Sequence, residues 1–182
     1  QGGLGAGGWA LVHAGASGVG SAAIQLAAAV GARTVVTCST GKVEACRALG
    51  ADVVVDRNSG DFVEAAREAT GGAGVDVVLD VVGGDYVPRN LRASRIGGRI
   101  VQVGVMGGGS AEVPVGMLLS RRISWIGTVL RSRPVEEKIA VTQRCAHDLL
   151  PLFERGTLRP VIDRAYSLDD VAAAHEHVAS NT

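Results

Sequence analysis

The chain has 182 residues, 47% of them hydrophobic and 20% charged, enough for one well-cored domain and too apolar for a disordered chain. Its 18 Lys and Arg residues balance 18 Asp and Glu, which argues against a general nucleic-acid or membrane-surface binder. No apolar stretch approaches the roughly 20 residues needed to span a bilayer, and residues 1–8 lack the charged and apolar regions of a signal peptide.

Strand-length apolar runs alternate with helical patterns along the chain. A strand is predicted over 11–14 and an alanine-rich helix over 18–30. A β-branched strand follows over 34–38, then a helix over 42–49 that stops at Gly50. The third strand covers 53–55, with a helix over 61–69 ended by Gly71-Gly72. The fourth covers 76–80, with a helix over 86–93. A fifth strand covers 99–103, a short helix 115–119, and a sixth strand 123–129. These strands are apolar on both faces, as parallel strands covered by helices require. The expectation is an α/β fold: a doubly wound, parallel, six-stranded Rossmann sheet in the order 3-2-1-4-5-6.

Beyond Arg133-Pro134 the rhythm changes. A long helix is predicted over 135–155, a strand over 158–165 with Pro160 near its start, and a last helix opened by Ser167 as N-cap with Asp170 in the capping-box position. The chain therefore reads as a nucleotide-binding domain over 1–133 and a C-terminal α/β tail over 134–182.

Between the first strand and helix lies His13-Ala-Gly-Ala-Ser-Gly-Val-Gly20. Strand, glycine turn and helix in this order place a pyrophosphate on a helix N-terminus, where free N–H groups and the helix dipole both favour negative charge. Gly15 is expected to permit the tight turn, Gly18 to stand at the helix entrance, and Gly20 to let the helix press on the strand. Ser17 stands where the G-x-G-x-x-G fingerprint has its second glycine.

The second strand ends Cys38-Ser39-Thr40-Gly41-Lys42, without the acid that selects NAD by binding both ribose hydroxyls. Ser39, Lys42 and, after the third strand, Arg57 offer a hydroxyl and two cations to a 2′-phosphate, which points to NADP(H). Asp56 is an acid near the same strand ends and tempers that reading.

These segments resemble the zinc-independent NADPH:quinone oxidoreductase (zeta-crystallin-like) branch of the medium-chain dehydrogenase/reductase superfamily. The likeness rests on the glycine turn, Ala22-Ala-Ile-Gln-Leu-Ala27, Leu49-Gly-Ala-Asp52, Thr70-Gly-Gly-Ala-Gly-Val-Asp-Val-Val78, Asp80-Val-Val-Gly-Gly-Asp85, Gly97-Gly-Arg-Ile-Val101, Leu130-Arg-Ser-Arg133, Arg159-Pro-Val-Ile-Asp163 and Ala173-Ala-His175. The resemblance implies a GroES-like substrate domain ahead of the glycine turn, on which the segment after about Pro134 would pack. It also implies a short strand after a tail like Ser180-Asn181, so the chain is expected to be truncated at both ends.

By the same resemblance Ala16, Ser17, Gly18 and Val19 meet the pyrophosphate, and Ser39, Lys42 and Arg57 surround the 2′-phosphate and adenosine. Val103, Gly104, Val105 and Met106 run beside the nicotinamide, with Leu130 and Arg131 closing the pocket. The implied reaction passes hydride from NADPH to a quinone or similar conjugated carbonyl. The alternatives are an enoyl or alkenal double-bond reductase and a non-catalytic nucleotide- or RNA-binding module. Relatives pair the sixth strand across a homodimer, here residues 124–129.

No residue reads as a general acid or base, and none as a metal ligand. Cys38, Cys46 and Cys145 have no metal-site or disulfide spacing, which indicates a reducing, cytoplasmic setting. His175 and His177 are two apart on the last helix and read as surface or packing residues. His13 reads as a buried, hydrogen-bonded histidine, Cys38 as a small core residue, and Asp80 as either a loop cap or a pocket wall. Trp9 and Trp125 read as packing or interface anchors.

Overall fold

A computed structural model describes residues 1–180; Asn181, part of the expected Ser-Asn tail, lies outside them. Six strands form one parallel sheet: β1 (Trp9–Val12), β2 (Arg33–Cys38), β3 (Val53–Asp56), β4 (Val75–Asp80), β5 (Ser94–Gln102) and β6 (Ser124–Gly127). Their order is β3-β2-β1-β4-β5-β6, as the sequence leads one to expect.

Burial on both sides explains the unalternating apolar runs. Leu11, Val35 and Val55 pack towards α3 (Phe62–Ala69), α4 (Tyr86–Ala93) and α5 (Val115–Arg121). Their neighbours Val12, Val36 and Cys38 pack towards α1 (Gly18–Ala29) and α2 (Val43–Ala48). The chain thus winds outward from β1 in one direction, then returns to wind the other way from β4. The switch point lies between β1 and β4, and at the carboxyl ends of those strands a crevice must open.

Several boundaries differ from expectation for identifiable reasons. β1 ends at Val12 because Ala14 takes a left-handed conformation, φ +53°, that turns the chain. The helix expected over 42–49 is a 3-10 turn, Thr40–Lys42, followed by the shorter α2. β5 starts early, at Ser94, because a register shift against β4 and Gly97 at φ +73° let Val75 pair with Ser94 before Val77 pairs with Arg99. It ends at Gln102, where the Val103 N–H makes the last ladder bond to the Asp80 carbonyl at 2.7 Å. β6 loses Ile123, whose N–H closes the end of α5 on Leu118.

The tail departs most. After α6 (Val135–Glu154), the strand expected over 158–165 does not form. Pro160 has no N–H to offer a ladder. The backbone of Arg159 is satisfied instead by one side chain of α1: its N–H donates to Gln25 Oε1 at 2.9 Å and its carbonyl accepts from Gln25 Nε2 at 3.0 Å. Leu158 beside it is buried. The expected capping box is also absent. The Ser167 hydroxyl donates to the Asp170 carboxylate at 2.6 Å rather than accepting from backbone, and a 3-10 turn, Leu168–Asp170, precedes α7 (Val171–Ser180).

Candidate functional site

The glycine turn folds around Ser17. Its hydroxyl accepts from the Gly20 N–H at 3.1 Å and its carbonyl from Ser21 at 2.8 Å, so it is the N-cap of α1. The N–H groups of Ala16, Gly18 and Val19 have no acceptor among the described residues. Three donors at the start of a 12-residue helix are thereby left for an anion.

The glycines around Ser17 do not all have the roles expected of them. Gly15 does not supply the left-handed turn, which falls on Ala14. A Cβ on Gly15 would sit 2.0 Å from Val36 Cγ1, so glycine there lets the turn lie flat on β2. A Cβ on Gly20 would lie 2.3 Å from the Ala14 carbonyl oxygen. Gly20 therefore brings the helix against the turn rather than against the strand. Gly18 stands at the helix entrance, with open space where a side chain would go.

From this turn a groove of about 420 Å³ runs over the carboxyl ends of the strands. Ala16, Ser17, Ser39, Lys42, Arg57 and Met106 all line it. Gly18 and Val19 follow Ser17 at the helix start. Val103, Gly104, Val105, Leu130 and Arg131 are not among its lining residues. The chain leaves β5 at Gln102 and bends at once towards β4, and Leu130 stands 62% exposed beyond the sheet edge.

The two cations are carried by loops that are tied together. The Thr40 hydroxyl donates to Asp56 Oδ2 at 2.7 Å, the Asn58 N–H to Asp56 Oδ1 at 3.0 Å, and Asn58 Nδ2 to Thr40 Oγ1 at 3.2 Å. These bonds, led by Thr40, hold the Asp56 carboxyl below the usual carboxylate range. Asp56 is thus occupied in joining the Lys42 and Arg57 loops. Neither cation forms an ion pair among the described residues.

Sequence reasoning missed five groove residues: Ala14, Thr37, Val82, Tyr86 and Gly107. It also missed the buried polar chain beneath them. Asp80 is fully buried, and its Oδ1 accepts from the N–H groups of Val82 and Gly83 at 2.7 and 2.9 Å. Its Oδ2 accepts from Asn90 Nδ2 at 2.9 Å, which turns Asn90 Oδ1 towards His13 Nε2 at 2.8 Å. Nε2 therefore carries the imidazole proton, and Nδ1 accepts from the Thr37 hydroxyl at 3.0 Å. Burial lowers the His13 pKa to about 4 against the opposing effects of Asn90 and Asp80. With both nitrogens engaged, His13 is a structural imidazole, and Asp80 is a loop cap. An acid at a strand end and an Asn on the following helix were the available signals.

The remaining candidates are structural as well. Burial raises the Cys38 thiol and pushes Cys46 up to about 12, so neither is a ready thiolate. His177 lies against Asp163 at 2.6 Å on the surface. Trp9 packs on the core under the Arg33 guanidinium, 4.4 Å from the ring centroid. Trp125 is half-exposed on β6 and donates to Gln102 Oε1 at 3.2 Å.

Residues 18–146 match the family model described as zinc-binding dehydrogenase. The chain belongs to the zinc-binding dehydrogenase family. This family is part of the medium-chain dehydrogenase/reductase superfamily, and the sheet described above is its nucleotide-binding fold. The spectinabilin polyketide synthase system protein NorB of Streptomyces orinoci is 38% identical over 185 aligned positions, covering 97% of this chain and 8% of NorB. The crystal structure of 2-haloacrylate reductase superimposes with a TM-score of 0.83 at 30% identity, covering 97% of this chain and 55% of that one. The CurK enoyl reductase structure gives 0.82 at 28% identity, covering 97% and 52%. The chain spans about half the length of these two solved structures.

The family name implies zinc, and the side chains present do not fit it. Among the described residues no three His, Cys, Asp or Glu side chains converge into a ligand set. Cys38 and Cys46 are inside the core, whereas Cys145 is exposed on α6. No helix of the described chain is long and apolar enough to cross a membrane.

Proposed function

We propose that this chain is the dinucleotide-binding half of an NADPH-dependent oxidoreductase that reduces a carbon–carbon double bond conjugated to a carbonyl. The observation that carries the reading is the groove itself. A helix start with three free N–H groups stands at one point of it, and Ser39, Lys42 and Arg57 stand together on the β2–β3 side. A pyrophosphate at the helix and a 2′-phosphate between two unpaired cations satisfy both features at once.

When bound, NADPH supplies a hydride from its nicotinamide. The residues of this chain bind and orient it. Ser17 fixes the first turn of α1 so that its N–H groups point at phosphate. The Thr40–Asp56–Asn58 network joins the loops that carry Lys42 and Arg57, and Met106, Val82 and Gly107 provide a largely apolar wall.

An alkene conjugated to a carbonyl or carboxyl group is the proposed substrate class, supported by the CurK enoyl reductase and 2-haloacrylate reductase structures and by the polyketide synthase relative NorB. A quinone, favoured by the sequence motifs, is also a conjugated carbonyl and is the second reading. We propose as well that β6 pairs with the β6 of a second copy, because it lies at the open edge of the sheet.

Calorimetric titration with NADPH and NADH tests the cofactor. Lys42→Ala/Arg57→Ala should weaken NADPH by about 100-fold, two charge-assisted bonds at about 1.5 kcal/mol each, and leave NADH unchanged. Equal NADPH affinity in the double variant would sink the assignment. Turnover of 2-enoyl thioesters against quinones by the complete natural polypeptide then decides between the substrates.

A further inference from the structure

Tyr86 is the first residue of α4 and lines the groove beside Val82, Met106 and Gly107. Three groups immobilise its ring. His13 meets it edge-on with centroids 4.8 Å apart and planes at 78°; Phe62 lies at 5.2 Å; the Arg89 guanidinium stands 5.7 Å from the ring centroid. His13 is itself fixed through Asn90 and Asp80. No hydrogen bond engages the Tyr86 hydroxyl among the described residues, and every interaction of the residue is a ring or backbone contact.

An aromatic ring held on several sides, on a residue that lines the groove and whose hydroxyl has no partner among the described residues, is a preorganised contact. Its side-chain entropy has been lost before any ligand arrives. Its place in the fold says which part of the ligand it meets. Ser39 and Lys42 follow β2, whereas Tyr86 follows β4, and β1 with the helix-capped turn lies between. A dinucleotide straddling the switch point puts its adenosine over β2 and its nicotinamide half over β4.

We propose that the Tyr86 hydroxyl is a hydrogen-bonding contact to the nicotinamide-side ribose or phosphate of the bound dinucleotide, a group that NADPH and NADH share. This rests on the cofactor reading above. The His13–Asn90–Asp80 chain then acts as a positioning device for Tyr86, joining the floor of the groove to one of its walls. Asp80 serves both ends, because it also caps the Val82–Gly83 backbone on which Gly107 hangs through its N–H at 2.7 Å.

The test is Tyr86→Phe, which removes the hydroxyl and keeps every ring contact. Affinities are measured for NADPH, NADH and adenosine 2′,5′-bisphosphate, which lacks the nicotinamide half. NADPH and NADH should each weaken by about fivefold, the effect of one neutral hydrogen bond of about 1 kcal/mol. Adenosine 2′,5′-bisphosphate affinity and the thermal midpoint should not move. Unchanged dinucleotide affinities, or an equal loss for adenosine 2′,5′-bisphosphate, would overturn the proposal while the cofactor reading stands. Wild-type protein that binds neither dinucleotide would overturn both.

Discussion

Ala14 carries the left-handed φ of the glycine turn, while Gly15 and Gly20 on either side of Ser17 are there for closeness. This separates two requirements that a glycine pattern alone confounds. Gly20→Ala would drive a methyl to 2.3 Å from the Ala14 carbonyl oxygen and 2.6 Å from Gly15 Cα, backbone that cannot swing aside as a side chain can. A loss of about 1–3 kcal/mol, the usual range for overpacking, is expected in urea unfolding, together with weakened NADPH binding because the helix start moves. Gly18→Ala meets open space and should change stability by less than about 0.5 kcal/mol, the usual scale away from packed sites. His13 gives a second prediction at this scale. The fold keeps it neutral down to about pH 4, against 6.5 for a free imidazole. Between those values the unfolded chain binds a proton that the folded chain does not. Stability therefore falls as pH falls through this window, by at most about 1.4 kcal/mol per pH unit, and is unaffected by His13 above it. His13→Gln, which can still accept from Thr37 and donate to Asn90, should lack that component in urea titrations from pH 7 to 4.5; an identical slope would contradict the assignment.

Among the elements, those that bury both faces were the legible ones. Thr34–Cys38 and Val77–Leu79 are runs of β-branched and apolar residues without polar alternation because helices cover each side of the sheet. The run at 158–165 has a similar look, with Leu158, Val161 and Ile162, and it is not a strand. What a strand needs is a neighbour, and sequence pattern does not state one. Here the amide of Gln25 on α1 takes the place of a ladder, bonding both backbone groups of Arg159. That clamp makes a test. Gln25→Ala removes both bonds to Arg159, about 1 kcal/mol each, along with the Nε2 bond to the Ser21 carbonyl within α1, and the loss should be local. Hydrogen exchange at the Arg159 amide should accelerate while the amides of β1 and β2 keep wild-type protection. Uniform acceleration would mean that the tail supports the whole fold.

For the molecule as a whole, the glycine-turn end of the groove is built from consecutive residues and strand ends, which pattern and spacing expose, so Ala16, Ser17, Ser39, Lys42 and Arg57 were legible in the sequence and all line the groove. At the opposite end the resemblance offers Val103, Gly104, Val105 and Met106; of these Met106 lines the groove, beside Val82, Tyr86 and Gly107 from loops brought together by the Met106 and Gly107 N–H bonds to the Val81 and Val82 carbonyls. The same sheet has two edge strands, β3 and β6, and the consequence of the second can be worked out atom by atom. The Thr128 N–H donates to the Gln102 carbonyl on β5, so by strand alternation the N–H of Ile126 faces β5 and those of Trp125 and Gly127 face outward. An isologous dimer through β6 would use those outward groups. Gly127→Pro deletes one of them without touching the β5 ladder, and a Cβ at Gly127 meets nothing within 4 Å. If β6 pairs across a two-fold axis, sedimentation should show a wild-type dimer and a Gly127→Pro monomer with unchanged circular dichroism, since only the intermolecular ladder loses a donor. A monomeric wild type, or a variant that stays dimeric, would leave the edge of this sheet covered in some other way.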